Sequence, residues 1–185
     1  MNGGALGEIL KFNDKITFFN IIYEKFPPLL LIDPTMNPCN ILPAVAFVQK
    51  FRIDAARLAQ MVDVPVENIL GLAAHESQYG AGRIAIDDNN YFSMHAPAPL
   101  QIGTDAARGN PKLKVAKFSS FSQSGQSFLA RFGDAIKGKK DPAEFAAALV
   151  KHGYNTGNAA TGGRNDYAKL LVGAISMVKL RMTCK

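Results

Sequence analysis

The chain contains no tryptophan, only two cysteines and only three histidines in 185 residues. So few cysteines and histidines exclude a multi-disulfide framework and a zinc-finger or zinc-ribbon spacing. His75, His95 and His152 lack ligand-like spacing, so neither a metal nor a cofactor is expected. His75-Glu76 begins like a zinc-peptidase motif, but Tyr79 stands where the second histidine is required. No apolar run approaches the ~20 residues of a membrane span, and no membrane insertion is expected. The longest run, Pro27 to Ile32, ends at Asp33-Pro34. Met1-Asn2-Gly3-Gly4 is not a basic segment leading into an apolar one, so no cleavable secretory signal is expected. Cys39 and Cys184 lie near opposite ends and pair only if the fold brings them together. Two unpaired thiols are the simpler expectation.

What is present is a globular composition, 48% hydrophobic and 19% charged, on a chain long enough for a real core. Charge is unevenly placed. Residues 1–100 hold seven basic and ten acidic residues, whereas residues 101–185 hold fourteen and five. A basic half suits an anionic partner such as cell wall, nucleic acid or a membrane surface. On charge alone, a solvated basic face is the simpler account. Lys112, Lys114, Lys117, Lys137, Lys139 and Lys140 are grouped with few interleaved aromatics, so no nucleic-acid partner is expected.

The pattern along the chain is mainly α. Residues 1–38 read as an N-terminal extension packed on a domain formed by residues 39–185. In the extension, Asn13 suits the cap of a short helix carrying Phe18, Phe19, Ile22 and Phe26, ended by Pro27-Pro28. A segment over about 40–51 carries Val45, Phe47 and Val48, and Asp54 suits the N-cap of a second helix reaching Val62. Pro65 suits the first turn of a helix on which Val66, Ile69, Leu70 and Ala73 fall at helical spacing, with Gly80 as its stop. From Gly80 to Pro111 the chain is rich in Gly, Asn, Asp and Pro and reads as loops with at most a small hairpin. Ser122 or Ser124 then starts a helix to Ile136. Asp141-Pro142-Ala143-Glu144 caps another that stops at Gly153. Asn165 is the expected cap of the last helix, through Leu170, Leu171, Ile175 and Val178.

Glu76 continues the apolar stripe of Ile69 and Ala73 at the C-terminal end of its helix, with an open loop beyond it. A carboxyl in apolar surroundings, near the negative end of a helix dipole, is the type of group that donates a proton to a poor leaving group. Cleaving a glycosidic bond needs such a group beside the leaving oxygen. The competing readings are a buried Glu paired with a cation such as Arg83, and a Glu that simply turns to solvent at the helix end.

Four segments in order sharpen this. Ala73-Ala74-His75-Glu76-Ser77-Gln78-Tyr79-Gly80 resembles the A-x-x-E-S-x-W-G segment of bacterial glucosaminidases, a family that includes autolysins and flagellar rod-cap hydrolases. Asn89-Asn90-Tyr91-Phe92-Ser93-Met94 resembles their N-N-x-F-G-I segment. Phe118 to Phe132 resembles the F-x-x-Y-x-S-x-x-x-S-x-x-x-Y stretch that follows. Tyr154, then Asp166-Tyr167-Ala168, resembles the closing Y-A-T-D-P-x-Y-A. Tyr79 replaces the usual Trp, Ser93 stands where the family has Gly, and the chain between Tyr154 and Tyr167 is longer.

The resemblance implies a lysozyme-like helical domain with a small irregular or β-containing lobe beside a cleft. It implies hydrolysis of β-1,4 bonds in peptidoglycan, by an endo-β-N-acetylglucosaminidase in preference to a muramidase although the sequence does not decide which bond is cut, with Glu76 as acid and Tyr154 near the reacting sugar. Asp87 and Asp88 are the nearest candidates for a second carboxylate, unless the sugar's acetamido group replaces one. Tyr79, Tyr91, Phe92, Met94 and Tyr167 are candidates for a sugar-binding wall, and Asn90 for a hydrogen bond to an acetamido group. A small lone catalytic domain also resembles type VI secretion toxins and phage lysins. The toxin resemblance implies export without a cleavable signal, action in the periplasm or wall of a target bacterium, and a cognate immunity protein that occludes the cleft. Two other readings remain: a Cys39-based amidase or peptidase using His75 or His95, and a non-catalytic glycan- or nucleic-acid-binding module.

Overall fold

A computed structural model describes residues 37–107, 110–161 and 163–185. The expected helix over Phe18 to Phe26, and nearly all of the 1–38 extension, lie outside the described residues. The described part is the expected fold class: six α-helices, a two-stranded antiparallel sheet and two 3-10 turns.

Helix α1 spans Leu42–Met61 without a break. Two segments divided at Asp54 were expected, and one helix forms. Phe47, Val48, Phe51, Ala55, Leu58 and Ala59 make a continuous buried stripe across that point. Asp54 lies on the outer face and pairs with Arg57 at 3.4 Å instead of capping. Helix α2, Val66–Ser77, follows Pro65 at its N-cap and buries nearly every side chain up to Ala74. Helix α3, Arg83–Asp88, is a short element inside the stretch expected to be loops. Its residues are adequate helix formers masked in the sequence by flanking glycine and asparagine.

Strand β1, Gly103–Ala107, pairs antiparallel with β2, Asn110–Lys117, in the register Gly103 to Lys117 and Thr104 to Ala116. The segment at Met94–Ala96 runs along the other edge of β2, through Ala116 N–H to the Met94 carbonyl and Ala96 N–H to the Lys114 carbonyl (both 3.0 Å). The irregular lobe is thus built on a hairpin.

Helix α4, Phe121–Ile136, is capped by Ser120, whose hydroxyl accepts from Gln123 N–H, and not by Ser122 or Ser124. Ser124 is buried and accepts from Tyr91 N–H at 3.2 Å. Helix α5, Pro142–Lys151, takes the expected Asp141 cap, whose carboxylate accepts from Ala143 and Glu144 N–H. Helix α6, Tyr167–Arg181, begins after Asp166 rather than Asn165. The Asn165 side chain accepts from Ala159 N–H and ties the preceding loop instead.

Cys39 and Cys184 form a disulfide, with Cα atoms 5.5 Å apart, in place of the two free thiols expected. The 3-10 turn Pro38–Asn40 lies against the end of α6, a closeness that sequence separation hides. Chain-entropy arguments assign a loop of this length a stabilisation of about 5 kcal/mol at most, and measured cases are commonly about 2–4 kcal/mol.

Helices α2 and α6 cross closely. A Cβ added at Gly71 would lie 2.7 Å from the Ile175 Cα, so only glycine allows the two backbones this approach. Gly125 on α4 is similar, facing Leu58 of α1. Because the obstacle at Gly71 is backbone, it cannot rotate aside. Gly71→Ala is therefore expected to destabilise the fold by about 1–3 kcal/mol despite alanine's better helix propensity. Urea unfolding measures this, and a variant as stable as wild type would contradict the close crossing.

Candidate active site

Glu76 occupies the last turn of α2, half-buried, where the helix ends in three consecutive left-handed residues: Gln78 (φ 53°), Tyr79 (φ 54°) and Gly80 (φ 77°). Ser77 organises this elbow. Its hydroxyl donates to the Ala73 carbonyl at 2.6 Å and accepts from Gly80 N–H at 2.9 Å, and its carbonyl accepts from Gly82 N–H.

The Tyr167 hydroxyl donates to Glu76 Oε1 at 2.8 Å. Among the described residues Oε2 accepts no hydrogen bond and no cation pairs with Glu76. Arg83, the cation considered for that role, turns to the lobe. It pairs with Asp105 at 2.9 Å and donates to the Ala106 carbonyl at 2.8 Å. The Ala106 N–H and Arg83 hold the Asp105 carboxyl below its ordinary range.

An aromatic wall surrounds the carboxylate. The His75 ring meets Tyr167 edge-on at 5.5 Å, Tyr167 lies 6.2 Å from Tyr154, and Tyr154 packs edge-on against Phe132 at 5.0 Å. Burial raises the pKa of Tyr167, and the neighbouring Tyr154 and Glu76 raise it further. Burial and then Glu76 do the same to Tyr154. Both phenols stay protonated and can only donate or share a proton as neutral hydroxyls. The Tyr154 hydroxyl donates to the Phe92 carbonyl at 2.7 Å, and so ties the lobe to the wall. Beyond Phe132 an open groove is lined by Arg131, Asp134, His152 and Gly153.

The structure brings Glu76, Tyr154 and Tyr167 together and puts the other candidates to different uses. Asn90 is wholly buried. Its Nδ2 donates to the Met94 and Ala116 carbonyls and its Oδ1 accepts from Met94 N–H, all at 2.9 Å, so no amide group remains for a sugar. Phe92 is core, stacked on Phe128 at 5.2 Å, and Met94 and Tyr91 are also buried, so these three do not form an exposed wall. Tyr91 packs against Phe51 and Phe121. Tyr79 packs edge-on against Phe47 and takes a hydrogen bond from Arg181 on its hydroxyl. Asp88 is buried and paired with Lys117 at 2.9 Å, as a tie between α3 and β2. Asp87 is exposed.

The 89–94 segment therefore reaches Glu76 through Ser93 alone among the described contacts. Ser93 is left-handed (φ 46°), which explains the glycine of the family pattern, and its hydroxyl donates to the Glu76 carbonyl at 3.4 Å. His75, weighed in the sequence only as a metal ligand or a base for Cys39, and Ser93, noted only as a departure from the family glycine, both border Glu76. Their adjacency to Glu76 and the glycine-to-serine departure were the available signals. Among the described residues no cluster of His, Cys, Asp and Glu could hold a metal, and no helix is long and apolar enough to cross a membrane.

A search of curated proteins returned no match. Solved structures are informative. One chain from a type VI secretion system effector-immunity complex of Pseudomonas protegens is 54% identical, covering 80% of this chain and 100% of that one with a TM-score of 0.73. A peptidoglycan hydrolase from Sphingomonas sp. A1 is 25% identical over 75% of this chain and 92% of its own, with a TM-score of 0.62. The C-terminally truncated glycoside hydrolase domain of Salmonella typhimurium FlgJ shares the fold at 24% identity and a TM-score of 0.53, over 74% and 97% of the two chains. The glucosaminidase family model, described as mannosyl-glycoprotein endo-beta-N-acetylglucosaminidase, matches residues 53–180. That span takes in Glu76, Tyr154 and Tyr167 together, and the chain belongs to the glucosaminidase family.

Proposed function

We propose that this chain is an endo-β-N-acetylglucosaminidase that cleaves β-1,4 bonds of bacterial peptidoglycan with Glu76 as general acid. The observation that carries this reading is the state of Glu76. It is held at one oxygen by Tyr167, and among the described residues its other oxygen is unengaged and no cation pairs with it. An ion-paired structural glutamate would have a cation in place of the phenol. Glu76 Oε2 protonates the departing glycosidic oxygen as the bond breaks. With Asp88 locked to Lys117 and Asp87 turned out to solvent, the developing positive charge on the sugar is met by the substrate's own 2-acetamido group. Tyr154 and Tyr167 supply the wall beside the reacting sugar.

The setting follows from the similarity to a chain of an effector-immunity complex and from the disulfide. We read the chain as an antibacterial effector acting in the periplasm of a target cell, an oxidising compartment that preserves disulfides. A cognate immunity protein would occlude the cleft. The basic C-terminal half suits an anionic wall. The amidase reading loses its nucleophile, since Cys39 is bonded to Cys184. The nucleic-acid reading loses part of its cluster, since Lys117 pairs with Asp88 and Lys140 with Asp63.

Glu76→Gln is expected to lower kcat on purified peptidoglycan by about 100-fold or more, with KM little changed, in a protein that melts like wild type. Near-wild-type turnover would refute the assignment. Tyr167→Phe removes the donor to Oε1 but keeps the ring. Its kcat is expected to fall by about tenfold, read in the same assay, and no change would make the phenol a packing group only.

Burial holds His75 below the ordinary value of 6.5, against the upward pull of Glu76. As pH falls through 6.5, the unfolded chain takes up a proton that the folded chain refuses, so stability declines until the folded histidine itself titrates. Urea midpoints between about pH 7.5 and 5 should show this decline, and His75→Asn should flatten it. An equal slope in the variant would clear His75 as the cause.

A further inference from the structure

The elbow that follows Glu76 is held from a direction the chemistry does not use. Gln78 and Tyr79 are both left-handed, a backbone conformation that costs energy in residues with side chains and persists only where the surroundings fix it. Tyr79 N–H donates to the Ala74 carbonyl at 2.8 Å, so Tyr79 closes the helix that carries Glu76. The Tyr79 ring meets Phe47 edge-on, and its hydroxyl is fixed by Arg181. That arginine is buried, its Nη1 donates to the Tyr79 hydroxyl, and its guanidinium carbon lies 4.9 Å from the Tyr79 ring centre. Arg181 Nε in turn donates to the Pro38 carbonyl at 3.3 Å. Pro38 precedes Cys39, and the Cys39–Cys184 bond fastens this turn to the residues just past Arg181. The carbonyl that seats the guanidinium is therefore presented by a segment that the disulfide anchors.

We propose that Arg181 is a positioning residue for Glu76, and that formation of the Cys39–Cys184 bond, by building the seat for its guanidinium, switches hydrolysis on in an oxidising compartment. With both thiols reduced, the 38–40 turn is free to leave α6, Arg181 loses its anchor, and the strained elbow relaxes. The carboxylate then sits off its productive position, and a displacement of about an ångström is enough to cost about 100-fold in rate. Oxidation removes two protons and two electrons from the pair of thiols. A partner disulfide accepts them and becomes two thiols, by exchange through a mixed disulfide. An effector held in a reducing cytoplasm would be poorly active there and competent after delivery. This inference rests on the assignment of Glu76 as the acid.

The test is the full chain assayed on purified peptidoglycan, oxidised, then reduced with dithiothreitol, then reoxidised with oxidised glutathione, with folding followed by circular dichroism. The expected result is a reduced protein that is still helical, with kcat down by about tenfold or more, KM within about threefold, and kcat restored on reoxidation. Tyr79→Phe and Arg181→Gln, with the disulfide intact, should reproduce the loss in kcat, and reducing them should lower it by no more than about twofold again. A reduced, folded wild type with undiminished kcat overturns the proposal. If reduction unfolds the chain, the two variants decide: a fall in their kcat with KM unchanged supports the proposal, and full kcat in both overturns it. Failure of the Glu76 assignment looks different, because then Glu76→Gln is active, or the oxidised wild type releases no glycan.

Discussion

The hydrogen bond from the Tyr167 hydroxyl to Glu76 Oε1 joins the end of one helix to the start of another, and most of the fold is arranged so that those ends meet. A short polar contact between two helices demands that their backbones approach closely. Gly71 opposite Ile175 grants that approach, and no other residue type would. The bond holds a carboxyl that, among the described residues, pairs with no cation. The neutral phenol, kept protonated by its own burial, orients the carboxyl without neutralising it. His75 and Tyr154 close the sides of this arrangement and are themselves desolvated, so they act as walls and neutral donors rather than as further charges.

The lobe is held to this centre by side chains that bond backbone groups. Asn90 braces the turn below it through three hydrogen bonds, Tyr154 holds the Phe92 carbonyl, and Ser93 reaches the Glu76 carbonyl. Phe92 and Tyr91 then enter a shared aromatic core with Phe51, Phe121 and Phe128. On the far side, Arg83–Asp105 and Lys117–Asp88 tie α3 to the hairpin. The helix end that carries Glu76 thus adjoins a lobe whose polar side chains are largely committed to holding shape.

The legible parts of the sequence were those where a local rule and the global fold agree. Asp141 caps a helix because the sequence pattern and the observed hydrogen bonds coincide. Glu76 fell on the stripe of a helix whose apolar periodicity is strong, and the stop after it occurs within two residues of the glycine expected. Asn90, Phe92 and Met94 were misread because a motif marks a place, not which atoms face it: the turn is needed for its backbone, and its side chains go inward. Asp54 and Asn165 look like caps in isolation, yet a continuing apolar face overrides the first and a loop contact claims the second. The disulfide was invisible for a plainer reason, since 145 residues separate its partners and only the tertiary fold brings them within reach.

The central claim is about which bond breaks, and mass spectrometry of the soluble products of purified peptidoglycan reads it directly. The account predicts glycan fragments whose new reducing end is N-acetylglucosamine, with the peptide stems intact. Fragments ending in N-acetylmuramic acid, or cleaved stems on uncut glycan, would contradict it.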